Sequence, residues 1–178
     1  MQGKKGLYLI AALGLPIFVF LFLKFCGRNE FNVEPLFQAG SIEVAGDCEF
    51  NYQIPYTISD SVFNRYQIGK TLFSVITFTD TLRNPMIQQV NEELKSDSVT
   101  FFNVVNENAF LTKNSETNLN LVEEVQFDFD KQCIFLLKEP FNTVLVNNSG
   151  VIYGQYNSRD RYEVDRLLAE LLILLKKY

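Results

Sequence analysis

The apolar positions of this chain follow patterns whose period changes along its length. Leu7 to Leu23 reads LYLIAALGLPIFVFLFL, seventeen residues without a charge. As a helix that stretch spans roughly 26 Å, the short end of what a bilayer core requires. Past residue 48 the patterns are those of a folded domain. FNYQIPYTI (50–58) alternates and predicts a strand or hairpin arm, with Pro55 confining it to an edge. TLFSVITFT (71–79) is rich in β-branched and aromatic residues and predicts a buried central strand. Asn84 and Pro85 form an N-cap and N1 pair that opens a helix to about Ser96. Met86, Ile87, Val90 and Leu94 recur along it at helical spacing. SVTFFNVVN (98–106) predicts a second buried strand, and strand, helix, strand in so few residues makes a βαβ unit with parallel strands.

The stretch 107–120 reads as a polar loop, and a short helix is expected around Leu121 to Val125. NTVLVNN (142–148) and VIYGQY (151–156) flank Ser149-Gly150 and predict a hairpin. Asn157 or Ser158 is expected to cap a last helix, Asp160 to Lys177. Its Val164, Leu167, Leu168, Leu171, Leu172 and Leu175 form a broad apolar face that has to pack on the sheet. A βαβ unit, a hairpin and a helix in that order are the thioredoxin arrangement. The expected class is therefore α/β, a thioredoxin-like sheet with flanking helices over residues 49–178. One N-terminal transmembrane helix (1–28) and a stalk (29–48) precede it.

Charge sharpens this division. The first 28 residues hold Lys4, Lys5, Lys24 and Arg28 and no acid, so with a formal total of −5 the remainder carries −9. Phosphate backbones repel such a domain, which argues against nucleic acid as a partner. Anionic headgroups repel it too, leaving the N-terminal helix as the membrane contact. No small-residue cleavage pattern lies near Phe25, and Lys24-Phe25 precede Cys26 where a lipoprotein site needs small residues. An uncleaved single-pass anchor fits best. Lys4 and Lys5 favour an inside N-terminus, so the C-terminal domain is expected outside the cytoplasm, at the cell membrane.

The segment NTVLVNNSGVIYGQYNSRDRYEVDRLLAELLILLKK (142–177) resembles the C-terminal third of the Sco/SenC proteins, membrane-anchored copper chaperones of thioredoxin fold. TLFSVITFTDT resembles that family's strand before its C-x-x-x-C motif, and the anchor, stalk and domain layout is similar. At the motif this chain departs from the family, reading Asp80-Thr81-Leu82-Arg83-Asn84-Pro85. Asp80 and Asn84 keep the C-x-x-x-C spacing, and Thr81 and Asn84 the C-x-x-C spacing. Neither pair can form a disulfide or bind Cu(I) through thiolate. Where the family places its copper-binding His, before the fourth strand, stands Glu139-Pro140-Phe141, and the chain contains no His at all. The resemblance thus implies a degenerate member with no metal ligands, no cofactor and no catalytic residue. It is expected to bind a protein partner and, by analogy with the family, to assist assembly of a membrane complex of the respiratory kind.

Cys48 and Cys133 are the two cysteines beyond the N-terminal region. They read as a possible disulfide, as a redox or metal-handling pair, or, for Cys133 beside Ile134-Phe135-Leu136, as a buried thiol. The redox or copper-handling use of this pair is the alternative function. Asp60 within Ser59-Asp60-Ser61 reads as a turn residue and Asp80 as a loop residue, neither with a partner carboxylate at useful spacing. The run from Val125 to Asp130 alternates and reads as a strand edge. Asn147-Asn148-Ser149 has glycosylation spacing inside a tight turn.

Overall fold

The computed structural model describes residues 14–21, 32–43, 48, 51–66, 68–80, 84–106, 119–122 and 124–177. It divides into two compact units, Met1–Asn32 and Val33–Tyr178. In the first, residues 14–21 are helical, and Leu15, Ile17, Phe18 and Phe20 are exposed. The remainder of the expected anchor lies outside the described residues. Among the described residues no helix is long and apolar enough to cross a membrane.

The second unit contains, in order, α1 (Asp60–Tyr66), β1 (Phe73–Thr79), α2 (Pro85–Leu94), β2 (Val99–Asn106), β3 (Leu119–Val122) and α3 (Glu124–Phe129). A π-helical turn (Asp130–Ile134), β4 (Thr143–Asn147), β5 (Ile152–Tyr156) and α4 (Arg161–Lys177) follow. The sheet order is β3-β2-β1-β4-β5. β2 runs parallel to both β1 and β3, whereas β4 is antiparallel to β1 and to β5. This is the thioredoxin arrangement, with β1 at the centre.

All seven residues of β1 are buried, because helices cover both faces of the sheet. Phe73 and Val75 point to one side, where Ile87 and Val90 of α2 and Val164, Leu167, Leu171 and Leu174 of α4 close the core. Ile76 and Phe78 point to the other, where they meet Tyr66, Phe127 and Phe135. Tyr66 stands edge-on to Phe102 and Phe135, with centroids 5.9 and 5.0 Å away. The parallel βαβ unit and the hairpin lie where the patterns place them.

Several local expectations need correcting. Residues 51–59 form no strand. They are an irregular strap, tied by Tyr56 N–H donating to Phe37 O at 3.0 Å and Ile58 N–H donating to Gly150 O at 2.9 Å. Residues 33–43, read as stalk, belong to the compact unit: Val33, Leu36 and Phe37 pack against its two cores, and Leu36 N–H donates to Ile152 O at 2.8 Å. Asp60 begins α1, not a turn, because Val62 and Tyr66 one helical turn apart are both buried. Where a helix is expected over 121–125, residues through Val122 belong to β3 and the helix starts at Glu124.

The alternating run to Asp130 is α3, not an edge strand. Its helical turn drives Phe127 inward and lets Gln126 Nε2 donate to Asp130 Oδ1 at 2.6 Å. The last helix is capped by Asp160, whose Oδ1 accepts from Tyr162 N–H at 2.9 Å, because Ser158 is buried in other work. Along α4 the fully buried stripe is 164, 167, 171 and 174; Leu172 lies on its outer flank, 46% exposed.

Candidate functional site

In a thioredoxin-like sheet the place to look for chemistry is the end of the central strand, where β1 hands over to α2. Here Asp80 and Asn84 sit on either side of residues 81–83, so Thr81 lies outside the described residues. The two described side chains do not converge. Asp80 points to solvent and pairs with Arg159 at 3.2 Å, both more than two-thirds exposed, a contact worth little. Asn84 turns inward and is 7% exposed.

Asn84 does two jobs. With its backbone extended (φ −108°, ψ 103°), its Oδ1 accepts from Met86 N–H at 3.2 Å and Ile87 N–H at 3.3 Å, so it caps α2, with Pro85 first in the helix. Its Nδ2 donates to Ser158 Oγ at 2.7 Å and Ser158 O at 3.3 Å. Asn142, just before β4, completes the network. Its Nδ2 donates to Phe78 O at 3.1 Å and Ser158 Oγ at 2.9 Å, and its Oδ1 accepts from Ser158 N–H at 2.8 Å. Thr143 Oγ1 donates to Thr77 Oγ1 at 3.1 Å, extending the layer across the sheet. All five side chains are buried.

These groups are amides and hydroxyls, which do not titrate near neutrality and hold no thiolate. They join the end of β1, the start of α2, the entry to β4 and the approach to α4. What the arrangement does chemically is fix four backbone segments. Sequence reasoning found Asn84 as a cap, read Ser158 only as a candidate cap of the last helix, and missed Asn142. The available signal was a polar pair flanking strands that are otherwise apolar.

Glu139, in the Glu139-Pro140-Phe141 segment before β4, is 81% exposed and pairs with Lys131 Nζ at 2.7 Å. The hydrogen bond from Lys131, and then its charge, hold the Glu139 carboxyl below the usual carboxylate range. Among the described residues no group of three or more His, Cys, Asp or Glu is placed to hold a metal ion.

Cys48 and Cys133 form a disulfide, with Cα atoms 5.6 Å apart across a sequence separation of 85. Cys133 sits in the π-helical turn, 5% exposed. The same turn holds Asp130, a buried carboxylate that accepts from Arg65 Nη1 at 2.8 Å, Gln126 Nε2 at 2.6 Å and the Tyr66 hydroxyl. A buried charge with three donors is satisfied and braces α1 against α3. Burial, then the bond to Asp130, pushes the Tyr66 hydroxyl well above its ordinary value.

Beside the disulfide lies a half-open cleft of about 260 Å³, walled by the 51–59 strap and by Cys133 and Ile134. The Tyr52 hydroxyl donates to Cys133 O at 3.0 Å and the Tyr56 hydroxyl to Ile134 O at 2.7 Å. Burial raises both phenols, Tyr56 the more, with Tyr52 adding to the shift at Tyr56. Asn147, first residue of the glycosylation-spaced triplet, uses its Oδ1 to accept from Ser149 N–H at 3.0 Å and Val151 N–H at 2.9 Å, holding the hairpin turn.

No family model and no curated protein matches the chain. Among solved structures it is similar to the thioredoxin domain of a thiol-disulfide oxidoreductase from Bacteroides vulgatus. That likeness has 17% identity and a TM-score of 0.39, and covers 73% of this chain and 99% of that one. It is also similar to a member of the Sco family of cytochrome c oxidase assembly proteins, with 14% identity and a TM-score of 0.35, over 57% of this chain and 78% of that one. Likenesses this distant transfer no residue role; the thioredoxin-like fold rests on the strand order and direction described above.

Proposed function

We propose that this chain is a membrane-tethered, non-catalytic thioredoxin-like domain that sits outside the cytoplasm and binds a protein partner. One observation supports the non-catalytic part: among the described residues at the end of β1, Asn84, Ser158 and Asn142 commit their polar groups to one another. The Cys48–Cys133 disulfide supports an oxidising compartment, and the uncharged stretch Leu7 to Leu23 supports the tether. A role in assembling a membrane complex of the respiratory kind rests on the Sco/SenC resemblance of residues 142–177 alone.

A reporter active only outside the cytoplasm, fused after Tyr178, gives signal under this reading; a signal from a cytoplasm-only reporter contradicts it. Extraction of the full chain in mild detergent brings one stoichiometric protein with it. A chain that runs alone, and cycles a substrate disulfide, favours instead the thiol–disulfide reading through Cys48 and Cys133. The observation behind that second reading is the open cleft beside the disulfide.

A further inference from the structure

The turn between β4 and β5 holds the one place in the chain where an asparagine is followed two residues later by Ser or Thr: Asn147-Asn148-Ser149. That spacing arises by chance, so the case rests on how the structure uses the three residues. As a turn residue Asn147 works through its oxygen alone. Its Oδ1 accepts from Ser149 N–H at 3.0 Å and from Val151 N–H at 2.9 Å. Two backbone donors fix which end of the amide faces the turn, so the other end is Nδ2. A carboxylate would hold the turn as well or better, because both bonds would become charge-assisted. The fold therefore gives no reason for the nitrogen.

Asn147 Nδ2 has no hydrogen-bond partner among the described residues, and it is not shut in. The buried side-chain polar atoms left unpaired there are Ser74 Oγ and Asn103 Oδ1, and Asn147 Nδ2 is not one of them. An amide nitrogen that is neither bonded nor buried is open to solvent. Asn148 and Ser149 beside it are exposed, and the Ser149 hydroxyl has one long bond, 3.3 Å to Asn148 Oδ1. A reachable amide nitrogen with a reachable hydroxyl two residues on is what transfer of a saccharide to Asn requires. The bonds accepted at Oδ1 also draw electron density from the amide and make the Nδ2 protons easier to remove.

We propose that Asn147 is a glycosylation site, its Nδ2 taking a saccharide from a polyprenyl diphosphate carrier outside the cytoplasm. The new bond joins Nδ2 to the anomeric carbon. The anomeric C–O bond breaks, the lipid diphosphate leaves with its electron pair, and one Nδ2 proton passes to a base of the transferring enzyme. The proposal rests on the extracytoplasmic reading above.

The test is the intact mass of the full chain, purified in detergent from the cells that make it, with peptide fragmentation to locate any added group. A mass above that of the polypeptide by one or more whole sugar residues, carried at Asn147, is expected. Asn147→Asp, which keeps an acceptor for both N–H groups, loses the whole increment, and so does Ser149→Ala. Ser149→Thr, which keeps the hydroxyl, retains it. Ser149 is exposed and outside both cores, so its variants report on transfer whatever the Asp does to the turn. A wild-type chain at the polypeptide mass overturns the proposal, as does an increment that survives in Asn147→Asp or in Ser149→Ala. The reporter fused after Tyr178, read in the same cells, separates the two levels. An unmodified chain with an extracytoplasmic signal sinks the glycosylation and leaves the compartment reading intact. An unmodified chain with a cytoplasm-only signal sinks both.

Discussion

Asn84→Asp is the perturbation that best separates a closed polar network from an ordinary helix cap. As a cap alone, the carboxylate serves as well as the amide: the two rank alike at that position, and negative charge at a helix N-terminus gains about 0.3–1 kcal/mol. The structure says otherwise. Asn84 is 7% exposed, and its Nδ2 is the donor to Ser158 Oγ and Ser158 O at 2.7 and 3.3 Å. The substitution deletes that donor and turns an anionic oxygen toward the Ser158 carbonyl. The Ser158 hydroxyl can rotate and donate to the new carboxylate, which recovers one contact; the carbonyl remains unpaired. An unsatisfied buried acceptor costs about 1–3 kcal/mol, and a desolvated anion adds to that. Net of the dipole term, about 2–3 kcal/mol is expected, a fall of about 5–10 °C in Tm for a chain of this size.

Thermal unfolding followed by circular dichroism measures it, with Asn84→Ser as the control that keeps the cap and drops the donor. The deficit of Asn84→Asp shrinks as pH falls through the carboxylate range, because the protonated acid regains a donor. A variant that melts at or above wild type at neutral pH refutes the network account and leaves Asn84 a simple cap.

The other predictions concern the core, the disulfide and the buried phenols. Leu171→Ala should cost about 3–5 kcal/mol in chemical denaturation because Leu171 is fully buried, whereas Leu172→Ala, 46% exposed, should stay within about 0.5 kcal/mol. Cys48→Ser with Cys133→Ser releases a closure of 85 residues and should destabilise by up to about 4.5 kcal/mol on the chain-entropy model, read as a lowered denaturant midpoint. Burial raises the Tyr56, Tyr66 and Tyr156 hydroxyls, with Glu170 adding to the shift at Tyr156. Their folded values lie above the unfolded one, so the stability they contribute is complete below about pH 10 and is lost as pH rises beyond it. Tyrosinate absorbance should show these three ionising only as the domain unfolds; full ionisation in a still-folded domain would contradict their burial.

What was legible in the sequence is what local chemistry decides. The apolar run of β1, the Asn84-Pro85 start of α2 and the Ser149-Gly150 turn each declare themselves within a few residues. The failures are tertiary. Phe127-Asp128-Phe129-Asp130 has the period of a strand, but Asp130 is drawn inside by Arg65 and Tyr66, more than sixty residues away in sequence, and a helix supplies the bond from Gln126. The 51–59 strap is held by carbonyls of the π-helical turn, which no spacing within the strap announces. Ser158 looked like a cap because it precedes a helix; only the fold brings Asn84 and Asn142 to it. The disulfide partners were visible as residues, and their 5.6 Å approach was not.

The proposal that this domain has no working redox site is tested most directly by the reduction potential of the Cys48–Cys133 bond in the full chain. Cys133 is 5% exposed, in a turn tied down by Tyr52 and Tyr56, so the bond should resist glutathione, with a potential below about −300 mV, and the chain should not turn over a disulfide substrate. A potential of about −270 to −120 mV, the range of exchange catalysts, together with catalytic turnover that Cys48→Ser abolishes, would contradict it.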